Sequence, residues 1–403
     1  MAALSNKWDN NEEIQRFREY LRIPSVHPDP DYSGCVEFLK KMAAQMDLPV
    51  AVHEFVPKNP VVVITWVGQQ PELPSLLLNS HMDVVPVNEE KWTHPAFSAN
   101  ITEDGFIYAR GTQDMKSIAM MHIEAVRRLK EAGVKLKRTI HLCFVPDEEL
   151  CGLKGMAKFS ISDEFKKLNV GFGLDESMPT SARNEIVVFN GERTSRQIKV
   201  TCPGIPGHGS TLVANTAGEK LNHIIERFMA FRAQEKKKLD DGGIWVGNVT
   251  TINLTQISGG VQINVLPETL TVSFDIRIPP QVDHDEFDAM VTKWCAEAGD
   301  DVTFEYIVKN PQTKCTPLER NMYWETLQKV AEKLGYTLKC VTCPGATDAR
   351  YVRQQGIPVI NFSPIMNSEL LLHCNNETIH VDVFLKGIDI MKEVVQELGN
   401  LEA

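Results

Sequence analysis

The chain has 403 residues, of which 43% are hydrophobic, and a formal net charge of −11. That length is more than one hydrophobic core usually serves, and it predicts two domains of an ordinary globular protein. The acidic balance argues against a nucleic-acid partner or an anionic membrane surface, and no segment reaches the roughly 20 apolar residues of a membrane span.

In chain order, Glu12 to Leu21 and Cys35 to Met46 carry helical apolar spacing, joined by a turn-rich connection holding Pro24, Pro28 and Pro30. Val50 to Val56 and Val61 to Val67 read as strands. Leu76 to Leu78 is too short for a helix and reads as a buried strand, with His81 and Asp83 just beyond its end. Phe106 to Arg110 is strand-like, and Met115 to Glu131 follows Asp114 with helical periodicity. Lys137 to Val145 is a strand that delivers Asp147-Glu148-Glu149, and Val170 to Leu174 is another that ends at Asp175-Glu176. Metal-type residues therefore recur at strand exits, where open α/β sheets bind their ligands.

Near Glu192 the pattern changes. Ser195 to Cys202 alternates as a strand, Ala214 to Arg232 reads as a helix, and Trp245 to Ile257 as strand material. Gln262 to Leu266 and Thr269 to Ile278 read as paired strands around Pro267-Glu268, followed by a helix over Asp283 to Ala298 and a strand over Val302 to Val308. The order β-α-β-β-α-β is that of a ferredoxin-like unit. It predicts an inserted domain over 192–308, with 1–191 and 309–403 forming the two parts of a metal-binding domain. Leu318 to Leu334, Val359 to Phe362 and His380 to Leu398 supply a helix, a strand and a helix to the second part.

The nine cysteines are odd in number and scattered, which points to a reduced compartment and no disulfide framework. Cys340 and Cys343 have metal spacing but no second pair to complete a site. Met1 to Asn11 is polar and lacks the basic start and apolar run of a secretory signal. Together these features predict a cytoplasmic chain.

Three acids in succession at the end of an apolar strand repel one another unless something cationic sits among them. Adjacent carboxylates can then divide the labour, one binding a metal and its neighbour moving a proton. His81 offers an imidazole, and Asp83, two residues along an extended segment, can fix its tautomer by accepting from the other ring nitrogen. Asp114 suits a carboxylate bridging two cations roughly 3.5–4 Å apart. Glu149 and Glu176 can each finish one ion, His373 can complete the second, and Glu148 stays unligated as base and then acid. Each element alone has an ordinary alternative: a structural histidine, an Asp capping the helix that starts at Met115, or a solvated acidic turn. Their recurrence at successive strand exits favours the metal.

These residues lie in Ser80-His81-Met82-Asp83-Val84-Val85-Pro86, Arg110-Gly111-Thr112-Gln113-Asp114-Met115-Lys116, Pro146-Asp147-Glu148-Glu149, Leu174-Asp175-Glu176 and Leu371-Leu372-His373. In these motifs and their order, nearly the whole chain resembles the cytosolic aminoacylases of the zinc-dependent exopeptidase superfamily, which includes glutamate carboxypeptidases and succinyl-diaminopimelate desuccinylases. The resemblance implies an α/β two-domain fold: a central mixed sheet flanked by helices, with an inserted ferredoxin-like lid and dimerisation domain. It implies two zinc ions per subunit, one on His81, Asp114 and Glu176, the other on Asp114, Glu149 and His373. Asp83 would support His81, and Glu148 would be the general base. Sites of this donor type also accept cobalt or manganese.

The resemblance extends to the substrate. Pro206-Gly207-His208-Gly209-Ser210 reads by itself as a glycine-rich turn; by resemblance, His208 reaches the active site of the partner subunit in a homodimer and stabilises an oxyanion. Asn264 would contribute substrate or oxyanion contacts. Arg277 would be a lid arginine near the substrate, with a surface salt bridge as its alternative. Pro344 to Arg350 resembles a substrate-binding loop, and Arg350 would grip an α-carboxylate bidentately, with a helix-surface arginine as the alternative. One departure stands out: Asn376 precedes Glu377, where family members often carry an acid, so the charge around the metals could differ. The implied reaction is hydrolysis of an N-acyl-L-amino acid to a carboxylate and a free L-amino acid. A dipeptidase or carboxypeptidase on the same scaffold and a nonhydrolytic amino-acid-binding or interaction protein are the rival readings.

Overall fold

Four of the apolar runs lie side by side as the parallel centre of an eight-stranded mixed sheet. Ile140–Val145, Ser75–His81, Val170–Asp175 and Val359–Phe362 are neighbours in that order and run in one direction. Asn59–Trp66 and then Val50–Val56 extend one side antiparallel, and Glu185–Glu192 and then Thr337–Cys343 extend the other. This computed structural model describes residues 7, 8 and 10–402. Residues 1–6 and 9, part of the polar stretch read above for a secretory signal, lie outside the described residues. Because the central strands are parallel, their C-terminal ends share one edge of the sheet. That edge collects His81, the turn that follows Val145, and Asp175-Glu176.

Successive strand residues point to opposite faces, and both faces here are covered. Leu76, Leu78, Ile140, Leu142 and Phe144 belong to one buried cluster, while Leu77, Cys143 and Val145 belong to another. Burial on both sides is why these strands read as unbroken apolar runs. The first cluster is completed by helices Glu12–Leu21, Ser33–Gln45, Lys116–Glu131, Met322–Lys333 and Val381–Gly399. Asn11 caps the first of these through a 3.0 Å bond from the Ile14 amide. Phe17 stacks on Phe384 with ring centroids 4.3 Å apart. Gly387 lets the last helix close on Met121, whose sulfur would lie 2.5 Å from a Cβ at that position.

The chain divides into two compact units: one runs to Asn190 and resumes over Thr316–Cys340 and from Thr347 onward; the other comprises Gly191–Cys315 and Val341–Ala346. The second unit thus takes in residues on either side of the expected 192–308. Lys309 still pairs with Arg196 on the neighbouring strand. Val341–Ala346 joins because the Arg193 amide donates to the Cys343 carbonyl (3.1 Å) and Trp245 Nε1 to that of Thr342 (2.8 Å). Asn190 and Thr316, which bracket the excursion, are bonded to each other. The Thr316 amide donates to the Asn190 carbonyl at 2.6 Å, and Asn190 Nδ2 returns a 3.1 Å bond.

The second unit is an antiparallel sheet in the order Thr251–Gly259, Thr269–Ile278, Thr194–Pro203, Thr303–Lys309. Helices Ala217–Asp240 and His284–Ala298 pack on it, with Phe228 stacked on Phe274 at 4.1 Å. This is the ferredoxin-like β-α-β-β-α-β order, and the α/β class with a helix-flanked mixed sheet is also as expected. One expected pairing does not occur. Val265–Leu266 pairs with Gly207–His208, not with Thr269–Ile278, which instead has Thr251–Gly259 and Thr194–Pro203 as neighbours. Two full-length neighbours satisfy that strand's backbone, and Pro267 beside Leu266 has no N–H to continue a ladder. Cys340 and Cys343 lie on the strand Thr337–Cys343, where residues three apart face opposite sides, so they cannot share an ion. No helix among the described residues is long and apolar enough to cross a membrane.

Candidate metal centre

The edge where the parallel strands end brings two imidazoles onto one carboxylate. His81 Nε2 lies 3.0 Å from Asp114 Oδ1 and 3.5 Å from Glu176 Oε1. His373 Nε2 lies 3.1 Å from Asp114 Oδ2 and 3.1 Å from Glu149 Oε2. Asp114 therefore spans the two histidines, one oxygen to each. Among the described residues, two groups could each hold a cation: His81, Asp114 and Glu149, and His81, Glu148 and Glu176. Glu148, expected to stand apart from the ligands, comes within the same reach. The Asp114–Met115 peptide is cis.

Asp83 supports His81 through its backbone: His81 Nδ1 donates to the Asp83 carbonyl at 2.9 Å, while the nearer carboxylate oxygen stands off at 3.6 Å. A carbonyl can only accept, so Nδ1 carries a proton, and Nε2 is the ring nitrogen directed at the carboxylates. The Asp83 carboxylate is used elsewhere. It accepts the amides of Glu148 (3.2 Å) and Glu149 (3.0 Å) and a 2.7 Å bond from His27 Nε2.

The electrostatics of the cluster call for a cation. Burial and the charge of Glu176 push the Glu148 carboxyl well above the usual carboxylate range. Burial and Asp114 raise Glu149, and Glu176 is pushed well up by burial, with Asp114 adding to the rise. Burial also works to raise Asp114, but hydrogen bonds from His373 and His81 overcome it and hold the group well down. Hydrogen bonds to Asp114 and Glu149 push His373 up to about 10. Glu149 Oε1 is buried without a hydrogen-bond partner. Two imidazole nitrogens among carboxylate oxygens form a donor set suited to borderline divalent ions such as zinc. The orphaned Glu149 oxygen and His81 Nε2, directed at the carboxylates, both fit such an ion.

Residues 77–397 match the peptidase family M20/M25/M40. The chain belongs to this family. Mouse aminoacylase-1 is 44% identical to it over 392 residues, covering 96% of this chain and 95% of that protein. Pig aminoacylase-1 is 43% identical over 402 residues, covering 100% and 98%. The fold is shared with an M20 family metallo-carboxypeptidase from Sulfolobus solfataricus, at a TM-score of 0.71, 18% identity, and 96% and 99% coverage.

This M20/M25/M40 chain holds its remaining candidate residues as follows. Arg350, on the short helix Ala349–Gln354, is buried and so is no surface arginine. Its Nη2 donates to the Cys151 carbonyl at 2.7 Å, tying it to the loop that carries Glu149. His208, in the second unit, is exposed, with Nδ1 2.7 Å from Ser210 Oγ. Asn264 lies beside it: its carbonyl accepts the Gly209 amide at 2.8 Å. Arg277 forms a two-pronged ion pair with Asp275 on its own strand, at 2.9 and 3.2 Å. Asn376 turns away to accept the Thr93 amide at 2.7 Å.

Two supports escaped sequence reasoning. Glu377 is fully buried and gathers the whole 110–114 loop. Its Oε2 accepts Arg110 Nη1 (2.7 Å) and the Gly111 amide (3.2 Å), and its Oε1 accepts the amides of Gln113 (2.6 Å) and Asp114 (3.2 Å). Glu377 stands four residues after His373 and directly before the strand Thr378–His380, a position that gives no sequence sign of this. His27 is the other; its position between Val26 and Pro28 marks only a turn.

Proposed function

We propose that this chain is a metal-dependent amidohydrolase that cleaves N-acyl-L-amino acids to a carboxylate and a free L-amino acid. The observation that carries the reading is Asp114 shared between His81 and His373, in a chain 44% identical to aminoacylase-1 over almost its full length. His81, Asp114 and Glu176 would hold one ion, and Asp114, Glu149 and His373 the other. Zinc is the proposed metal, with cobalt or manganese able to replace it. Ions held there would polarise an acyl carbonyl and make water more acidic.

Glu148 takes the proton from the attacking water and returns it to the departing amide nitrogen. Burial and the charge of Glu176 raise its carboxyl above the usual carboxylate range, which supports the role because a more basic carboxylate is the better acceptor of the water's proton. Arg350 would hold the substrate α-carboxylate and so fix the scissile bond. His208 would stabilise the oxyanion from the second subunit of a homodimer, with Asn264 beside it. Support for that second copy comes from Leu212, Val261 and Ile263, exposed apolar side chains in the same unit. Arg277 would act near the substrate only by giving up Asp275. The nine cysteines, with no disulfide among them, support a reducing, cytoplasmic setting.

The test compares wild type and Glu148→Gln on N-acetyl-methionine, a long-chain fatty-acyl amino acid and a neutral dipeptide, with metal content measured alongside. The variant should lose about 10²–10⁴-fold in kcat while retaining its metal. Loss of both ions in the variant would contradict the division between base and ligands. Preference of wild type for the dipeptide would favour the peptidase reading, and bound metal without any turnover the nonhydrolytic one.

A further inference from the structure

We propose that His27 is a positioning residue for the acid turn, holding Glu148 in place through Asp83. The three consecutive amides of that turn are each received by a side-chain oxygen. Tyr32 Oη accepts the Asp147 amide at 3.1 Å, and Asp83 accepts those of Glu148 (3.2 Å, Oδ1) and Glu149 (3.0 Å, Oδ2). His27 Nε2 then donates to Asp83 Oδ2 at 2.7 Å, the shortest of these bonds. His27 and Asp83 are both buried, at 6% and 0% exposure. Water therefore cannot replace the imidazole as the third donor to this carboxylate.

The turn needs holding. Asp147 and Cys151, the residues on either side of the Glu148–Leu150 turn, are both left-handed, with φ of 70° and 75°. For residues with a Cβ this conformation costs about 1–2 kcal/mol each, so the backbone does not adopt it unaided. The Asp83 carboxylate is the clamp, and its own orientation is set by where its donors stand. With only the two turn amides as donors, the carboxylate and the turn could swing together. His27 ties that pair to a fixed frame. The His27 amide donates to the Val84 carbonyl (3.1 Å), the Val84 amide donates to the Ser25 carbonyl (3.0 Å), and Ser25 Oγ donates to the Met82 carbonyl (2.5 Å). The segment around His27 is thus stitched to the strand exit that carries His81. Through it, the base and the first imidazole share one rigid support.

The proposal rests on Glu148 being the proton carrier. Its test uses His27→Phe, His27→Gln and the double variant His27→Phe/Glu148→Gln, beside wild type and Glu148→Gln. Each is assayed in the metal-loaded state on the N-acyl amino acid that wild type hydrolyses best. Amide hydrogen exchange over the turn and metal stoichiometry are measured on the same samples. His27→Phe should lose about 10–100-fold in kcat, the range found for partners one step removed from a site, with KM and metal stoichiometry unchanged. Exchange at Glu148 and Glu149 should quicken. His27→Gln, whose side-chain amide can still donate to Asp83, should recover most of the loss. The double variant should be no slower than Glu148→Gln alone. Wild-type kcat in His27→Phe, unchanged exchange at the turn, or a multiplicative loss in the double variant would each overturn the proposal. If His27→Phe does not fold, His27→Asn replaces it: small and polar, it fits the space but stops short of Asp83, and wild-type kcat and exchange there would overturn the proposal equally. Should Glu148→Gln itself turn over normally, the assignment of the base fails, while the exchange data still read the hold of His27 on the turn.

Discussion

Replacing Glu377 with Gln isolates what a single buried charge does for the candidate metal centre. The substitution keeps the shape of the side chain and turns one carboxylate oxygen into an NH2 donor. If that group replaces Oε1, it faces the amides of Gln113 and Asp114; if it replaces Oε2, it faces Arg110 Nη1 and the Gly111 amide. The second orientation is the less costly, because Arg110 Nη1 keeps a 3.1 Å bond to the Cys374 carbonyl. Even so, a buried guanidinium loses its counter-charge and the Gly111 amide loses its acceptor. Removing one partner from a buried pair costs about 3–5 kcal/mol. The surviving bond of Arg110 places this case at the lower end, near 3 kcal/mol, or roughly a 150-fold shift in the unfolding equilibrium. Urea unfolding followed by tryptophan fluorescence would measure the loss. Metal competition titration should show affinity weakened by about 10–100-fold, since the loop presents Asp114. A stability loss below about 1 kcal/mol, the net value of an ordinary hydrogen bond, with metal affinity intact would refute the reasoning: the carboxylate would then act only as a spacer.

Two further outcomes follow from residues away from the acid turn. His122 is buried on the helix Lys116–Glu131 with neither ring nitrogen hydrogen-bonded, and burial pushes its pKa from 6.5 down to about 3. As pH falls from about 6.5 toward 3, only the unfolded chain takes up that proton, so stability drops by about 1.4 kcal/mol per unit. His122→Leu should remove this contribution, and its stability advantage over wild type should widen between pH 6.5 and 4.5 in denaturation series; parallel profiles would contradict the burial argument. Asn376→Asp restores the acid common in the family, yet the new carboxylate should still accept the Thr93 amide. Stability should stay within about 0.5 kcal/mol of wild type and calorimetric metal affinity should hardly move; a large gain in affinity would mean that the side chain turns inward.

The architecture was legible because its signals are local. Strands such as Ser75–His81 and Ile140–Val145, buried on both faces, announce themselves as apolar runs, and the acids at their exits stand out against that background. Pairing over long distances leaves no such trace, so the sequence pattern matches Val265–Leu266 to its neighbour along the chain although its partner is Gly207–His208. The supports of the site were hidden for a related reason. Counting along an extended chain pairs the Asp83 carboxylate with His81, but the strand ends at His81, and beyond it the carboxylate swings to amides more than sixty positions away. His27 and Glu377 are ordinary polar residues in turn-rich sequence, and only the fold reveals which backbone groups they receive.

The hydrogen-bonded closure of Asn190 on Thr316 bears on how the molecule is made. During synthesis the chain presents His81, Asp114, Glu148, Glu149 and Glu176 early, then spends its next stretch on a unit with its own core. Folding of that unit shortens the gap that the first unit must later close, and a shorter loop carries a smaller entropic penalty. His373 emerges only after the excursion has ended, so a nascent chain that stops short of it lacks the second imidazole facing Asp114. If the proposed ligands hold metal, tight retention of it would therefore mark chains that extend through His373.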